Sequence, residues 1–382
     1  MIRLVEDTID NKDIDTLIEW LQTYPRLTKG PLTLEFEEKW SKWVGCKHSL
    51  FVNSGSSANL IILAALKFGN YLPNNKVLVP GLAWATDLAP VIQLGLEPIL
   101  CDINLDNLSV DLKQLEHIFA TEKPSCMLLV SVLGLVPDMD SIIKLCQEHN
   151  VVLVGDHCES FGSKYKGTKL GSCGEIAATF SMYFGHHLST IEGGMVCTND
   201  SELFDILLMI RSHGWSRDLS FQKQKELQAE WNVNDFNNLY TFYYPGFNLR
   251  ATDLQAKVGL GQLDKADAIC ENRNKSFNLY KKYINNNELV LPVDEDNFIS
   301  AFAYPYVNKN VDKLIPALAE KNIDCRPLIC GSMGKQPMYV KNYLPLHLPN
   351  CEKLDKHGIY LPCHDKLNEE DIKYVAEVVN SI

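Results

Sequence analysis

Two adjacent imidazoles, His186 and His187, lie in the stretch FSMYFGHHLSTIEGGM. Alternating β-forming residues at 179–183 predict a strand before them, and residues 195–197 predict another after the turn at Gly193-Gly194. The pair is therefore expected on a short connection between strands, where functional side chains are commonly presented. Imidazole carries protons near neutral pH, so acid–base catalysis is the chemistry that this stretch could supply. Two histidines on a solvated loop remain the alternative.

The second candidate feature is the small-residue turn Asn53-Ser54-Gly55-Ser56-Ser57, between a predicted strand at 48–52 and a predicted helix at 58–68. This arrangement can bind phosphate, because the free N–H groups and the positive end of the helix point at the anion. The serine hydroxyls would add donors. A serine that only caps the helix fits the pattern equally well.

Strands and helices alternate from residue 76 onward. Strands are predicted at 76–79, 97–102, 125–132 and 151–155, with helices at 84–94, 111–120 and 139–149. Such alternation predicts a mostly parallel sheet with helices on both faces. Ligands of these sheets bind at the carboxyl ends of the strands. Asp156 directly follows one such end, and we expect it at the same mouth as residues 55–57 and His186.

The chain changes in character after residue 214. Residues 215–247 are polar, aromatic and weakly periodic, which predicts a long excursion over the site rather than core. Beyond it, helices at 248–264, 311–321 and 368–379 and a strand at 302–307 predict a smaller α+β domain. We therefore expect a large domain at residues 1–250 and a small C-terminal domain at residues 251–382.

The composition excludes several functional classes. The net charge of −12 over 382 residues argues against nucleic-acid binding, which needs a basic face. The acidic N-terminus and the lack of a long apolar run predict neither a signal peptide nor a membrane span. The 12 cysteines are scattered without a CxxC pair, so we expect reduced thiols, no metal site and a cytoplasmic location.

Eight blocks of the sequence, in order, resemble those of one known family. They are LTKGPLTLEFEEKW, VNSGSSANL, VPGLAWATDLAPV, GDHCES, FSMYFGHHLSTIEGGM, RSHGW, FNLRATDLQAKVGLGQL and DCRPL. Over nearly its full length the chain is similar to the DegT/DnrJ/EryC1/StrS sugar aminotransferases, a branch of the fold-type-I pyridoxal-phosphate enzymes. The resemblance implies an aspartate-aminotransferase-like α/β fold, with a large mixed-sheet domain and a smaller α+β domain. It also implies pyridoxal or pyridoxamine 5′-phosphate as the cofactor.

The resemblance assigns cofactor contacts residue by residue. The implied phosphate ligands are Gly55, Ser56, Ser57 and Ser181. Asn248 is similar to a phosphate contact donated by a second subunit, which implies a homodimer. For the ring, the resemblance implies stacking by Trp84, pairing of Asp156 with the ring nitrogen, and Glu159 near the ring hydroxyl, where most relatives have Gln. From the residues alone, Trp84 could equally be a core residue at a helix start.

The chain departs from the family pattern at His186. Ordinary members have a Lys at this position, which attaches the cofactor covalently and moves the proton. An imidazole cannot make that attachment, but it can carry the proton. The nearby lysines, Lys164, Lys166 and Lys169, belong to a preceding hairpin. A His-His pair in place of Lys-x resembles the sugar 3-dehydratases of the family.

The resemblance to the 3-dehydratases implies a reaction. The 3-hydroxyl leaves a nucleotide-linked 4-keto-6-deoxyhexose while His186 moves the proton, and glutamate restores the amine form of the cofactor. GDP-4-keto-6-deoxymannose, a precursor of colitose-type O-antigen sugars, is the substrate that we expect. Arg217, Arg250 and Arg326 are candidates for the diphosphate or the glutamate carboxylate, since guanidinium suits both, although each could be a surface ion pair.

Three alternatives remain open. Dehydratases of the CDP-sugar type carry an iron–sulfur cluster, which needs closely spaced thiolates, and the sequence has no Cys between Cys197 and Cys270. The chain could instead be an inactive homologue that only binds a nucleotide sugar. It could also be a nucleotide-sugar 4-aminotransferase that uses a Lys from elsewhere, which the sequence favours least.

Overall fold

A computed structural model describes residues 1–291 and 296–382. The strands are β1 His48–Val52, β2 Lys76–Pro80, β3 Glu97–Cys101, β4 Cys126–Val130, β5 Val152–Asp156, β6 Lys164–Tyr165, β7 Thr168–Lys169, β8 Ala177–Ser181, β9 Gly194–Thr198, β10 Ala303–Val307, β11 Arg326–Pro327 and β12 Gly358–Pro362. The α-helices are α1 Asn11–Leu21, α2 Pro31–Val44, α3 Gly55–Phe68, α4 Ala85–Gln93, α5 Leu112–Thr121, α6 Met139–His149, α7 Ser201–Arg211, α8 Phe221–Glu230, α9 Asp253–Leu263, α10 Ala266–Tyr283, α11 Val311–Glu320, α12 Pro337–Val340, α13 Pro349–His357 and α14 Glu369–Asn380.

The largest element is a seven-stranded mixed sheet in the order β1-β9-β8-β5-β4-β2-β3. Neighbouring strands from β3 to β8 run parallel, whereas β9 is antiparallel to both β8 and β1. The strands β1, β5 and β8 therefore point the same way. Their carboxyl ends meet at one edge of the sheet, together with the β8–β9 connection that carries His186 and His187.

Alternating side chains of the large sheet build a core on each face. In β1, Leu50 and Val52 pack with α3 and α7, whereas Phe51 lies on the opposite face with Phe36 and Trp40 of α2. This period of two is the one expected for strands buried on both sides. Helix α3 is buried nearly all round because its residues from 61 to 66 are all apolar.

A second, antiparallel sheet has the order β10-β12-β11. Helices α10 and α14 pack against each other beside it, and its buried residues join the core that reaches the large sheet. The division at residue 250 stays a prediction. Within the described residues, no helix combines the length and the apolar character that crossing a membrane would require.

Two predicted elements differ from the structure. Helix α9 begins at Asp253 rather than at residue 248, because Asn248 and Arg250 form β-bridges with Ser212 and Val52. The 215–247 excursion contains α8, which buries none of its side chains. A helix without a buried face lacks the apolar period from which helices are predicted.

Candidate active site

A cavity of about 1020 Å³ opens at the carboxyl edge of the large sheet. Its walls come from both sheets and from residues 3–5 of the N-terminal segment. It is lined by these predicted site residues: Gly55, Ser56, Trp84, Asp156, Glu159, Ser181, His186 and Arg326. The predicted mouth of the sheet is therefore a real concavity with polar groups converging on it.

The turn before α3 is a helix cap, and its free N–H groups could also form an anion cradle. Ser54 is the capping residue, and its Oγ accepts the N–H of Ser57 at 3.1 Å. Gly55 and Ser56 lie in the first turn, where N–H groups have no partner within the helix. A methyl group on Gly55 would lie 2.6 Å from Cβ of Ser181, so the glycine lets the two segments approach.

Asp156 ends strand β5, and its carboxylate is held from two sides. The backbone N–H of Cys158 donates to Oδ1 at 2.8 Å, and Nδ2 of Asn59 donates to Oδ2 at 2.6 Å. The residue is only 5% exposed, yet it lines the cavity. A buried carboxylate at a cavity wall suits a positively charged or N–H-bearing group of a ligand.

Glu159 and Trp84 complete the wall beside Asp156. The backbone N–H of Leu133 donates to Glu159 at 2.8 Å. Burial raises the pKa of Glu159 to about 7, so its carboxyl can hold a proton near neutral pH. Trp84 precedes α4 and is 58% exposed, which leaves the face of a large aromatic ring at the cavity.

His186 faces the cavity as a neutral imidazole. Its Nδ1 lies 2.8 Å from the carbonyl oxygen of Cys158. A carbonyl only accepts, so Nδ1 carries the hydrogen and Nε2 keeps a lone pair. Burial lowers the pKa of His186 to about 4. The ring also lies against Phe302, with 5.2 Å between ring centroids.

His187 points into the protein. It is fully buried, and its Nε2 donates to the carbonyl oxygen of Ser300 at 2.9 Å. Burial holds the pKa of His187 well below its ordinary value. The side chain therefore ties the β8–β9 connection to the segment that precedes β10.

Four other predicted site residues do not line this cavity in the single chain. The hydroxyl of Ser57 accepts a hydrogen bond from Ser54 at 3.0 Å, so it belongs to the cap. The guanidinium of Arg217 lies 3.9 Å from the ring centroid of Trp215 and donates to the carbonyl of Leu239. Asn248 and Arg250 lie on the extended segment before α9. None of the 215–247 excursion lines the cavity within the single chain either, so its predicted place over the site stays a prediction.

Sequence patterns missed part of the wall. Arg3, Leu4 and Val5 line the cavity because Ile2 forms a parallel bridge with Ile323, which brings the N-terminal segment to the site. No local pattern predicts so distant a pairing. Asn59 could have been noticed as a polar residue in an apolar helix, where a buried amide needs partners.

Comparisons with known proteins agree with this geometry. The model of the DegT/DnrJ/EryC1/StrS aminotransferase family matches residues 7–380. The GDP-4-keto-6-deoxy-D-mannose 3-dehydratase of Yersinia pseudotuberculosis is 30% identical, over 98% of this chain and 97% of that protein. The GDP-perosamine synthase of Escherichia coli O157:H7 is 28% identical, over 99% of this chain and 98% of that protein.

Solved structures show the same fold. A crystal structure of GDP-4-keto-6-deoxymannose-3-dehydratase with a trapped PLP-glutamate geminal diamine superposes with a TM-score of 0.90 at 27% identity, covering 99% of this chain and 100% of the other. The Escherichia coli enzyme with bound hydrated PLP gives 0.88 at 27% identity, covering 99% of each chain. These neighbours confirm the predicted aminotransferase-like fold. The chain thus belongs to the DegT/DnrJ/EryC1/StrS aminotransferase family.

Proposed function

We propose that this protein is a nucleotide-sugar 3-dehydratase that removes the 3-hydroxyl of a 4-keto-6-deoxyhexose. The observation that carries the proposal is His186, a neutral imidazole at the cavity wall in the position where the family pattern has Lys. The similarity to GDP-4-keto-6-deoxy-D-mannose 3-dehydratase supports GDP-4-keto-6-deoxymannose as the substrate.

The residues of the cavity fit pyridoxal or pyridoxamine 5′-phosphate. The first turn of α3 with Ser56 and Ser181 suits the phosphate, and Trp84 offers an aromatic face for the ring. Asp156 is a buried carboxylate suited to a protonated ring nitrogen. The cofactor, when bound, would accept electrons from the carbon that loses a proton.

The chain would then contribute proton transfer at one defined atom. Nε2 of His186 can accept a proton, because Nδ1–H is committed to the carbonyl of Cys158. Above about pH 4 the imidazole is in this neutral form. Phe302 packs on one side of the ring and limits the orientations that it can adopt. Lys at this position would favour covalent attachment and amino transfer, whereas His leaves a proton carrier only.

Glutamate is the proposed amine donor, and an arginine is the side chain suited to its carboxylate or to the diphosphate. Arg326 is the predicted candidate that lines the cavity within one chain, and Arg3, which the sequence did not predict, lines it as well. Arg217 and Arg250 stay candidates for a site that a second subunit completes.

A homodimer is the proposed active unit. Large apolar side chains are exposed along the 215–247 excursion: Phe221, Trp231, Phe236, Tyr240 and Phe242. Exposed apolar groups clustered in one segment indicate a protein contact. Asn248, predicted to reach the phosphate of a neighbouring subunit, follows this segment directly.

An amino-transferring enzyme is the alternative, because GDP-perosamine synthases are among the relatives. An inactive homologue is a second alternative. Borohydride treatment of the cofactor-loaded protein tests whether the protein is an amino-transferring enzyme. We expect no pyridoxyl group on any Lys, and an adduct would favour amino transfer.

The decisive experiment combines the protein, the cofactor, glutamate and a panel of nucleotide-linked 4-keto-6-deoxysugars. Dehydration should yield a sugar lighter by one oxygen atom, with 2-oxoglutarate and ammonia formed in equal amounts. An amino sugar without ammonia release would identify an aminotransferase. No 2-oxoglutarate with any sugar would identify an inactive homologue.

A further inference from the structure

Asp156 shares a buried hydrogen-bond network with a second carboxyl group, that of Asp87 in the first turn of α4. Asn59 of α3 lies between them. Its Nδ2 donates to Asp156 at 2.6 Å and to Asp87 at 3.1 Å, while the hydroxyl of Thr179 donates to its Oδ1 at 2.7 Å. Because carboxyl oxygens accept hydrogen bonds, the amide nitrogen is the end of Asn59 that faces them. One amide thus bridges two carboxyl groups.

The two carboxyl groups are poorly placed to be ionised together. Asp87 is 0% exposed and Asp156 is 5% exposed, so water screens their repulsion weakly. Burial and the charge of Asp156 raise the pKa of Asp87 well above its ordinary value. Glu159 and the thiols of Cys158 and Cys330 also act on Asp87, and none of these three groups supplies a positive charge.

The surroundings distinguish the two members of the pair. Asp156 accepts a short hydrogen bond from Asn59 and another from the N–H of Cys158, and it reaches the cavity. Asp87 also lines the cavity, but it has the longer bond to Asn59, accepts the N–H of Trp84 at 2.8 Å and is 0% exposed, against 5% for Asp156. The negative charge is therefore better stabilised on Asp156.

We propose that Asp87 is a positioning residue, a neutral carboxylic acid that acts with Asn59 to hold Asp156 ionised and oriented toward the cavity. This proposal rests on the proposed function in one respect, which is that the ligand group beside Asp156 is the ring nitrogen of the cofactor. The neutral state of Asp87 depends on the network alone.

Carbon-13 NMR of the cofactor-free protein, labelled at the aspartate carboxyl carbons, tests the neutral state. Near neutral pH we expect a protonated carboxylic acid signal that is absent in Asp87→Asn and present in Asp156→Asn. The matched control is Asp111→Asn, since Asp111 also accepts an N–H at a helix start, from Gln114 at 2.8 Å, but lies outside the cavity. Aspartates that are all ionised at this pH would overturn the proposal, as would a signal lost only in Asp156→Asn.

Binding of pyridoxal phosphate tests the positioning role, followed by absorbance across a pH series. Asp87→Asn keeps a neutral polar group, and we expect wild-type affinity and wild-type pH dependence of the absorbance. Asp87→Leu removes the contacts to Asn59 and Trp84, and we expect a loss of affinity of roughly ten- to a hundredfold with a shifted pH dependence.

Two results would overturn the positioning role. One is a folded Asp87→Leu protein with wild-type affinity and spectrum. The other is a large loss in Asp87→Asn, which would mean that the wild-type carboxyl acts as a charge. If the wild-type protein fails to bind the cofactor, the proposed function fails, whereas the NMR measurement still decides whether Asp87 is neutral.

Discussion

The two imidazoles of the histidine pair have opposite surroundings. His186 lies at the cavity wall with Nε2 free to accept a proton, whereas Nε2 of His187 is committed to the carbonyl of Ser300. The connection turns at this point, where the N–H of His186 donates to the carbonyl of Tyr183 at 2.9 Å, so the two adjacent side chains project in different directions. Only His186 is placed to transfer a proton to or from a ligand.

The first prediction compares the two histidines. Replacing His186 with Asn should lower kcat by about a hundredfold to ten-thousandfold, because the imidazole proposed to move the proton is lost. Replacing His187 with Asn should reduce turnover by less than about tenfold while lowering stability by about 1–3 kcal/mol, because a buried hydrogen bond is lost. Steady-state kinetics and thermal unfolding of both variants measure these effects.

The reverse pattern would show that the assignment is wrong by one residue. If His187→Asn eliminates turnover and His186→Asn retains most of it, the base must be His187. His186→Lys serves as a further control. It should suppress dehydration and allow borohydride to fix the cofactor to the protein, because an amine then stands at the cavity wall.

The second prediction concerns Glu159 and pH. Its pKa is about 7 in the folded protein against an ordinary value of 4.5. Between these values the folded state binds the proton more tightly than the unfolded state, so the proton stabilises folding. This contribution is lost as the pH rises through about 7. The Tm of Glu159→Gln minus that of wild type should therefore increase between about pH 5 and about pH 8.

Taking the difference in Tm between Glu159→Gln and wild type cancels the effect of other groups that titrate in this pH range. His186 and His187, whose pKa values are lowered by burial, contribute equally to both proteins. A Tm difference that is constant with pH would mean that Glu159 is ionised throughout the range, and it would remove a neutral Glu159 from the description of the site.

At the scale of elements, the first turn of α3 and the end of β8 must approach closely to form the proposed anion cradle. The third prediction is that Gly55→Ala weakens pyridoxal-phosphate binding by roughly tenfold or more, since the added methyl would lie 2.6 Å from Cβ of Ser181 and push the segments apart. Gly185→Ala is the control, because its methyl would meet Tyr183 at an ordinary 3.6 Å beside the same cavity. Equal affinities for the two variants would contradict the cradle.

Elements were predicted best from the sequence where a buried face gave apolar residues a regular spacing. Helix α6 has the predicted bounds, because Ile142 and Cys146 on its buried face and the cap at Asp138 mark it clearly. Helix α8 lacks a buried face, so no apolar period indicated it. Helix α10, over Ala266–Tyr283, was missed because it follows α9 after a two-residue break without Gly or Pro.

At the scale of the whole molecule, local motifs predicted one side of the cavity and not the other. Asp156 could be placed because it follows a strand end and parallel strands share an edge, whereas Ser181 was placed by the family resemblance. The opposite wall, which includes Arg3, Phe302 and Tyr360, depends on contacts between segments that are distant in the chain. Such pairings leave no periodic pattern in one sequence, so only the residues that matched family blocks were placed.

The exposed aromatic side chains of the excursion give a test of assembly. Phe236 is 81% exposed and Tyr240 is 73% exposed. Leu344 of the C-terminal part is 86% exposed and lies outside the excursion, so it offers a matched control for placing a charge on an exposed apolar position. Light scattering with size-exclusion chromatography measures the mass of each variant.

The fourth prediction is that the wild-type protein is a dimer and that Phe236→Asp with Tyr240→Asp shifts it toward monomer. Two carboxylates in an apolar contact would have to be buried without partners, which opposes association. Leu344→Asp should stay dimeric. Because Asn248 follows the excursion, the monomeric variant should also bind pyridoxal phosphate more weakly. A wild-type protein that is a stable monomer with full cofactor affinity and turnover would contradict both the dimer and the shared site.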